Sequence, residues 1–479
     1  MPVVRRVYRC TFRADVLSVF SENIKKAFEL ARSPIRLRHV IARVQLSTHW
    51  KIAPIFIVLL AAIPVRAQTT VVEAAEKGLS ISRWAQSGSI STRALTTEPT
   101  ERLRVITRSG KASYLVKLGR LAFRSPLTLG GNARRLGLSC NTCHPGGAVN
   151  ARFFFQTVSD RPGNLDVSHR LWNPKGDDGL ANPTNIPSLR GIRWTAPYGR
   201  DGRISSLDEF TRNVIVNEFA GREPDSLIVD ALVAYQREFE FPPNANIQEL
   251  GKPSAGMSSA AIRGAKLFQQ DCASCHIPSS AYLDGRSHDV GTSGYFDTPT
   301  LRGLAESAPY LNDGRAADLL SVVAHFDQLL ELGYQETQRA DMTEFLEALG
   351  AVDLPPGPVT ARRAMDRINE FATLLRKPIE EEEFHLAERI GDMLRMELMS
   401  IHERFHLTEH ATQRGALVVL SIRLGELIEN ARAGKYESAL RELAAWRDQG
   451  KAAEVLLSAG AATSLYDPET LQAMIAEAE

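Results

Sequence analysis

The stretch LSCNTCHPGG, residues 138–147, places Cys140, Cys143 and His144 within five positions. Two cysteines three apart suit half a zinc site, a redox dithiol or an anchor for something larger. A second copy decides between these readings: CASCH sets Cys272, Cys275 and His276 in the same order. One helical turn brings both thiols to the two vinyl groups of a haem, and the next residue points its imidazole at the iron. A zinc site made of four cysteines would leave both histidines idle. A thioredoxin-like dithiol needs a βαβ context that the sequence does not offer.

The copies extend outward. Before each pair runs Gly-x-x-x-Phe, as Gly119/Phe123 and Gly264/Phe268. The spacing predicts a helix, with Ser258 or Ser259 as a cap for the second one. After each pair, IPSLRGIRWTAPYGRDGRISSL aligns without gaps on TPTLRGLAESAPYLNDGRAADL. The pairs Pro187/Pro299, Arg190/Arg302, Gly191/Gly303, Pro197/Pro309, Tyr198/Tyr310, Asp201/Asp313 and Arg203/Arg315 all have the same offset, 112. The unit therefore occurs twice, over roughly 100–245 and 250–350, as one fold duplicated with one haem in each copy. FEFPPNANI, 239–247, reads as the linker.

The chain of 479 residues is too long for one ordinary core. A formal charge of +1 gives no case for nucleic acid. Residues 1–50 hold ten Lys/Arg against three Asp/Glu, and an apolar run from Ile52 to Val65 ends in Val-Arg-Ala. This is the layout of a secretory leader, residues 1–67, cut after Ala67. At 14 residues the run is shorter than the ~20 a membrane span needs, so a membrane anchor is the lesser reading. Export predicts a periplasmic protein. Of five cysteines, Cys10 falls in the leader, and the other four are the two pairs.

On LGRLAF, SPLTLGG and LSCNTCH in the first copy, and RGAKLF, CASCH, HDVG, TPTLRG and APYLNDGR in the second, the chain resembles the bacterial di-haem cytochrome c peroxidase and MauG-like superfamily. The resemblance covers about 115–350. It implies an all-α chain of two tandem cytochrome c-like haem domains, 68–245 and 250–353. It implies two covalently bound haem c groups and, by resemblance alone, a calcium ion between the domains. One haem receives electrons from a small donor such as a mono-haem cytochrome or cupredoxin; the N-terminal one reduces hydrogen peroxide. A pure electron carrier and a MauG-like oxidant of a partner protein are the alternatives, and a homodimer is one arrangement the chain could adopt.

What distinguishes these readings is the sixth iron position, since a saturated haem shuttles electrons and an open one binds peroxide. His169 is the only histidine between the first motif and the aligned segment, and so the distal candidate there. The family's peroxidatic acid falls on Asp208, beside Glu209, where a carboxylate would move a proton between peroxide oxygens. Acids at that place also suit a helix N-terminus. The family's nearby glutamine falls on Tyr198. At the second haem the family's methionine falls at about Phe326, which cannot ligate; His325 is the substitute, with His288 and Met342 as competitors. The family's histidine before its DG pair is Asn312 here. Arg190 and Arg302 suit haem propionates or loop bracing.

Residues 360–479 are rich in Ala, Leu, Glu and Arg at helical period. They read as a C-terminal helical bundle of four or five helices, broken near Pro378, Gly434, Gly450 and Pro468. His402, His406 and His410 fall at i, i+4 and i+8, a spacing with which a helix can chelate a metal.

Overall fold

The computed structural model describes residues 96–478 apart from 105, 107–109, 249–250, 255, 351–354 and 406–407. The expected leader, with Cys10 and the apolar run, lies outside the described residues. No described helix is long and apolar enough to cross a membrane.

Two helices form the frame of each repeat. In the first they are α1 (Tyr114–Arg124) and α4 (Ser226–Gln236); between them lie α2 (Cys140–Cys143) and α3 (Leu207–Asn213). In the second, α5 (Ser259–Asp271) crosses α7 (Glu336–Leu349), with α6 (Leu319–Leu329) between them in sequence. Side-chain caps start α1 and α5: the Ser113 hydroxyl accepts from Val116 N and the Ser258 hydroxyl from Ala261 N. The glycine of each Gly-x-x-x-Phe sits at the crossing. A Cβ on Gly119 would overlap the Ala231 carbonyl, and one on Gly264 the Asp341 carbonyl. The phenylalanine one turn on then packs across the crossing. Phe123 meets Tyr235 at 5.3 Å between ring centroids, and Phe268 meets Phe345 at 5.1 Å. The motif is thus a helix-packing device, repeated.

Strands are two or three residues long. β2 (Asn164–Leu165) pairs with β3 (Thr184–Asn185), and β4 (Ser287–Asp289) with β5 (Tyr295–Asp297), all antiparallel. β1 (Thr97–Glu98) pairs with β6 (Gly357–Pro358), tying the start of the described chain to the end of the second repeat.

The C-terminal helices α8 (Ala361–Ala372), α9 (Phe384–His402), α10 (Ala411–Arg432), α11 (Tyr436–Ala459) and α12 (Pro468–Ala478) do not stand alone. Their buried side chains form one apolar core with the first repeat, while the second repeat has its own. The seam is ionic: Arg120 bridges Glu101 at 2.7 Å and Glu370 at 3.0 Å, and Arg367 reaches Glu98 and Glu397, each at 3.7 Å. Tyr114 OH donates to Leu374 O at 3.2 Å.

Three expectations change. Phe239, assigned to the linker, is fully buried against Phe123 and Tyr235, so the first core runs into that segment. Beyond it, Asn244 Nδ2 is pinned to Ala348 O and Leu349 O, both at 2.9 Å, at the end of α7. Gly450 does not break a helix. It lies inside α11, where its missing side chain makes room for Asn369. His402 ends α9 and His410 precedes α10, so no single helix face carries them; His410 is buried with Nε2 3.0 Å from Thr463 Oγ1, and His406 lies outside the described residues.

Candidate haem-binding sites

The first motif is held by its own hydrogen bonds. Ser139 N donates to Thr142 Oγ1 at 3.0 Å and starts the single turn α2. His144 N closes it on Cys140 O at 2.9 Å. The chain then turns through Gly147, at φ +80°, where a Cβ would lie 2.7 Å from the Phe239 ring. His144 Nδ1 lies 2.9 Å from Pro187 O. A carbonyl only accepts, so Nδ1 carries the proton and Nε2 keeps its lone pair. Burial lowers the imidazole pKa to about 4, which keeps it neutral. In the second motif His276 Nδ1 lies 3.1 Å from Tyr282 O, the carbonyl of Pro299, counterpart of Pro187, also bonds the imidazole, and burial again lowers its pKa.

No disulfide joins any of the four motif cysteines. Burial pushes Cys140, Cys143 and Cys272 up to about 12. Cys140 and Cys143 rest on the first core and Cys272 on the second, so the two pairs belong to separate sites. Among the described residues, the one cluster with metal-ligand spacing is Cys275, Asp284 and His288, which includes a single motif cysteine. Paired thiols on an apolar wall and an imidazole with its Nε2 lone pair available fit a thioether-bound haem at each motif.

The other histidines of the repeats are arranged differently. His169 Nδ1 accepts from Leu171 N at 3.1 Å, so in neutral His169 the proton sits on Nε2. His325 Nε2 meets Val290 O at 2.7 Å, and His288 Nε2 meets Asp284 Oδ2 at 2.7 Å. Among these five, His144 and His276 are the ones whose Nδ1 faces a backbone carbonyl. Phe326, where the family ligand was expected, has Val214 as its counterpart at offset 112. Met342 is buried in the second core, on α7.

Asp208 lies in the first turn of α3 with its side chain 47% exposed, and Oδ2 faces Arg237 Nη2 at 3.4 Å. Tyr198 is buried beside it, and burial raises the phenol. Its hydroxyl donates to Ile192 O at 3.2 Å; Tyr310 donates to Leu304 O at 3.1 Å in the same way. The tyrosine therefore braces the Leu-Arg-Gly turn in both repeats. Arg190 is buried. It donates to Glu306 Oε2 at 3.0 Å and to Thr100 O at 3.2 Å, crossing between repeats. Arg302 stacks over Phe241 at 4.7 Å and lines the same small cleft as Arg190.

Sequence reasoning missed Arg200. Arg200 Nη1 donates to Asn312 O at 2.9 Å, and burial lowers the guanidinium to about 10. Asn312, which stands where the family has histidine, also accepts through its carbonyl from Asn185 N at 2.7 Å. The available signal was that Arg200 and Asn312 differ immediately before the matched Asp-Gly-Arg of both repeats.

The two CxxCH loops differ in exposure. No residue from Leu138 to Asn150 is exposed, whereas Ser274, Ile277, Ser279 and Ser280 are. Residues Pro99 and Glu101 cover the first loop at Gly146.

No family model matches the chain. Among characterised proteins it is similar to hydrazine synthase subunit gamma of Kuenenia stuttgartiensis, 24% identical over 245 residues, covering 37% of this chain and 67% of that one. It is also similar to methylamine utilization protein MauG of Methylorubrum extorquens, 25% identical over 311 residues, covering 51% and 81%. Among solved structures it is similar to a MauG-like protein associated with microbial copper homeostasis, at 17% identity and a TM-score of 0.33, covering 55% and 95%.

Proposed function

We propose, because the chain belongs to the bacterial di-haem cytochrome c peroxidase and MauG-like superfamily, that it is an exported periplasmic oxidoreductase holding two haems c and reducing hydrogen peroxide at the N-terminal one. Cys140, Cys143 and His144 would hold the first haem, Cys272, Cys275 and His276 the second. Bound there, each haem supplies one-electron chemistry, and an open sixth position supplies a place for peroxide.

The observation that carries the reading is the state of the first site's surroundings. His169 holds its proton on the nitrogen an iron would need, and Val214 occupies the position at which the family sets a ligand in the second repeat. A saturated electron carrier needs a strong ligand there, and neither residue supplies one. At the second site, ligation by His325 would exchange its hydrogen bond to Val290 O for the iron. Arg302, half-buried in the cleft between repeats, suits a propionate. The exposed second loop suits a small donor protein, and Ile277 offers it an apolar contact. The likeness to MauG favours one further reading, in which the oxidised protein takes electrons from a partner protein instead.

The test is turnover of hydrogen peroxide by the holoprotein with a reduced mono-haem cytochrome as donor. Turnover supports the peroxidase reading. Consumption of peroxide without oxidation of the donor points to the partner-protein reading, and absence of any reaction leaves the electron carrier.

A further inference from the structure

Helix α1 carries two arginines that its counterpart in the second repeat lacks. With the two Gly-x-x-x-Phe motifs aligned, Arg120 falls on Ala265 and Arg124 on Gln269 of α5. The first CxxCH motif also departs from the second, with Asn141 where the second has Ala273. These departures meet in the structure. Arg124 Nη1 donates to Asn141 Oδ1 at 3.3 Å, and the same oxygen accepts from Gly146 N at 3.2 Å, so one side chain closes the motif loop on itself. The rest of the Arg124 guanidinium faces the C-terminal helices and β1. Its Nε lies 3.7 Å from Glu397 Oε2 on α9, and its Nη2 4.0 Å from Glu98 Oε2. Arg367 Nε, on α8, lies 3.7 Å from the same Glu397 oxygen. Both Nε atoms are buried and make no hydrogen bond, so their contacts with Glu397 are contacts of charge. Glu397 is 7% exposed. Charges this buried are little screened, and removing one leaves its partners uncompensated. Arg120 repeats the pattern one turn earlier. It bridges Glu370 of α8 and Glu101, and Glu101 packs over Gly146.

We propose that the C-terminal helices clamp the first haem site, with Glu397 and Arg124 as positioning residues that hold Asn141, and with it the first CxxCH loop, around its haem. This rests on the haem reading above and not on peroxide turnover. The clamp acts on one repeat only. The second motif has neither the arginine nor the asparagine, and the C-terminal helices share no core with it. A duplicated fold thereby holds two unequal haems, the first with a potential set in part by a carboxylate from outside the repeat.

The experiment compares full-length holoprotein with Glu397→Gln, Asn141→Ala and the double variant. Asn141→Ala gives the first motif the residue of the second and leaves the ionic seam in place. Mass spectrometry first checks for a haem on each motif; a wild-type chain with none on Cys140 and Cys143 overturns the haem reading and the clamp with it. The midpoint potentials of both haems are then read by spectroelectrochemistry, the two steps being assigned with a Cys272→Ala/Cys275→Ala variant. In Glu397→Gln the first haem's potential should rise, because a buried negative charge is lost, and the second haem's should not move. In the Asn141→Ala background the same change should move the first potential less than half as far, since residues acting through one contact are not additive. An unmoved first potential, an equal shift of both haems or a full shift in the double variant would each overturn the proposal. Should Glu397→Gln fail to fold, Asn141→Ala decides alone: the first potential must move while the second holds, and an unmoved first potential overturns the clamp.

Discussion

Arg200 Nη1 donates to the carbonyl oxygen of Asn312 at 2.9 Å, and the two residues are each other's counterparts in the repeat. The pattern continues around them. Asn185 N donates to Asn312 O and Asp297 N to Arg200 O, both at 2.7 Å, and Asn185 and Asp297 are again counterparts. Each repeat thus lends its Asp-Gly-Arg loop to the other, about a local twofold relation. Replacing Arg200 with Met removes a buried donor from this seam and should cost about 1–3 kcal/mol in denaturant unfolding. The same change at Arg237, whose side chain is 55% exposed, should cost no more than about 0.5 kcal/mol.

Asp297 makes that seam sensitive to pH. Its half-buried carboxyl is raised to about 7, first by burial and then by Asp284 and Asp201; His288 opposes this. The raised value means the folded protein binds the proton more tightly than the unfolded chain. Its contribution to stability is fully present below the unfolded carboxyl range and is lost as pH rises through about 7. Asp297→Asn should therefore be more stable than wild type at pH 8, with the difference vanishing near pH 4. Thermal unfolding across that range checks the sign.

The crossing glycines allow no side chain. Gly119→Ala would push a methyl group into the Ala231 carbonyl, and Gly264→Ala into that of Asp341. Each should cost about 1–3 kcal/mol by overpacking, measured by denaturant unfolding. Gly415→Ala, with open space around it in α10, should be neutral or stabilising.

Donor docking should follow the exposure of the two motif loops. Ile277, beside the second motif, is 36% exposed. Ile277→Glu should slow reduction by a small donor protein several-fold while leaving reduction by dithionite unchanged. Stopped-flow absorbance separates the two.

The candidate haem motifs and the duplication were legible because both are local patterns: a five-residue motif, a four-residue helix spacing and a gap-free offset of 112. The seat of the C-terminal helices was not. Their helical period shows an apolar face but not its partner, and the ion pairs of Arg120 and Arg367 join residues hundreds of positions apart. The distal histidines illustrate a second limit. Sequence lists His169 and His325 as nitrogen donors, but which nitrogen is free depends on a neighbouring backbone N–H or carbonyl, and only the fold brings that close. The helical reading of His402, His406 and His410 failed because spacing cannot show that a helix ends at His402.

The central claim is that the first haem lacks a strong sixth ligand. Its most direct test is the ferric electron paramagnetic resonance spectrum of a Cys272→Ala/Cys275→Ala variant, which keeps only the site of Cys140, Cys143 and His144. A high-spin signal that shifts on addition of cyanide is the expected result. A purely low-spin signal at every pH, unchanged by cyanide, would contradict the account.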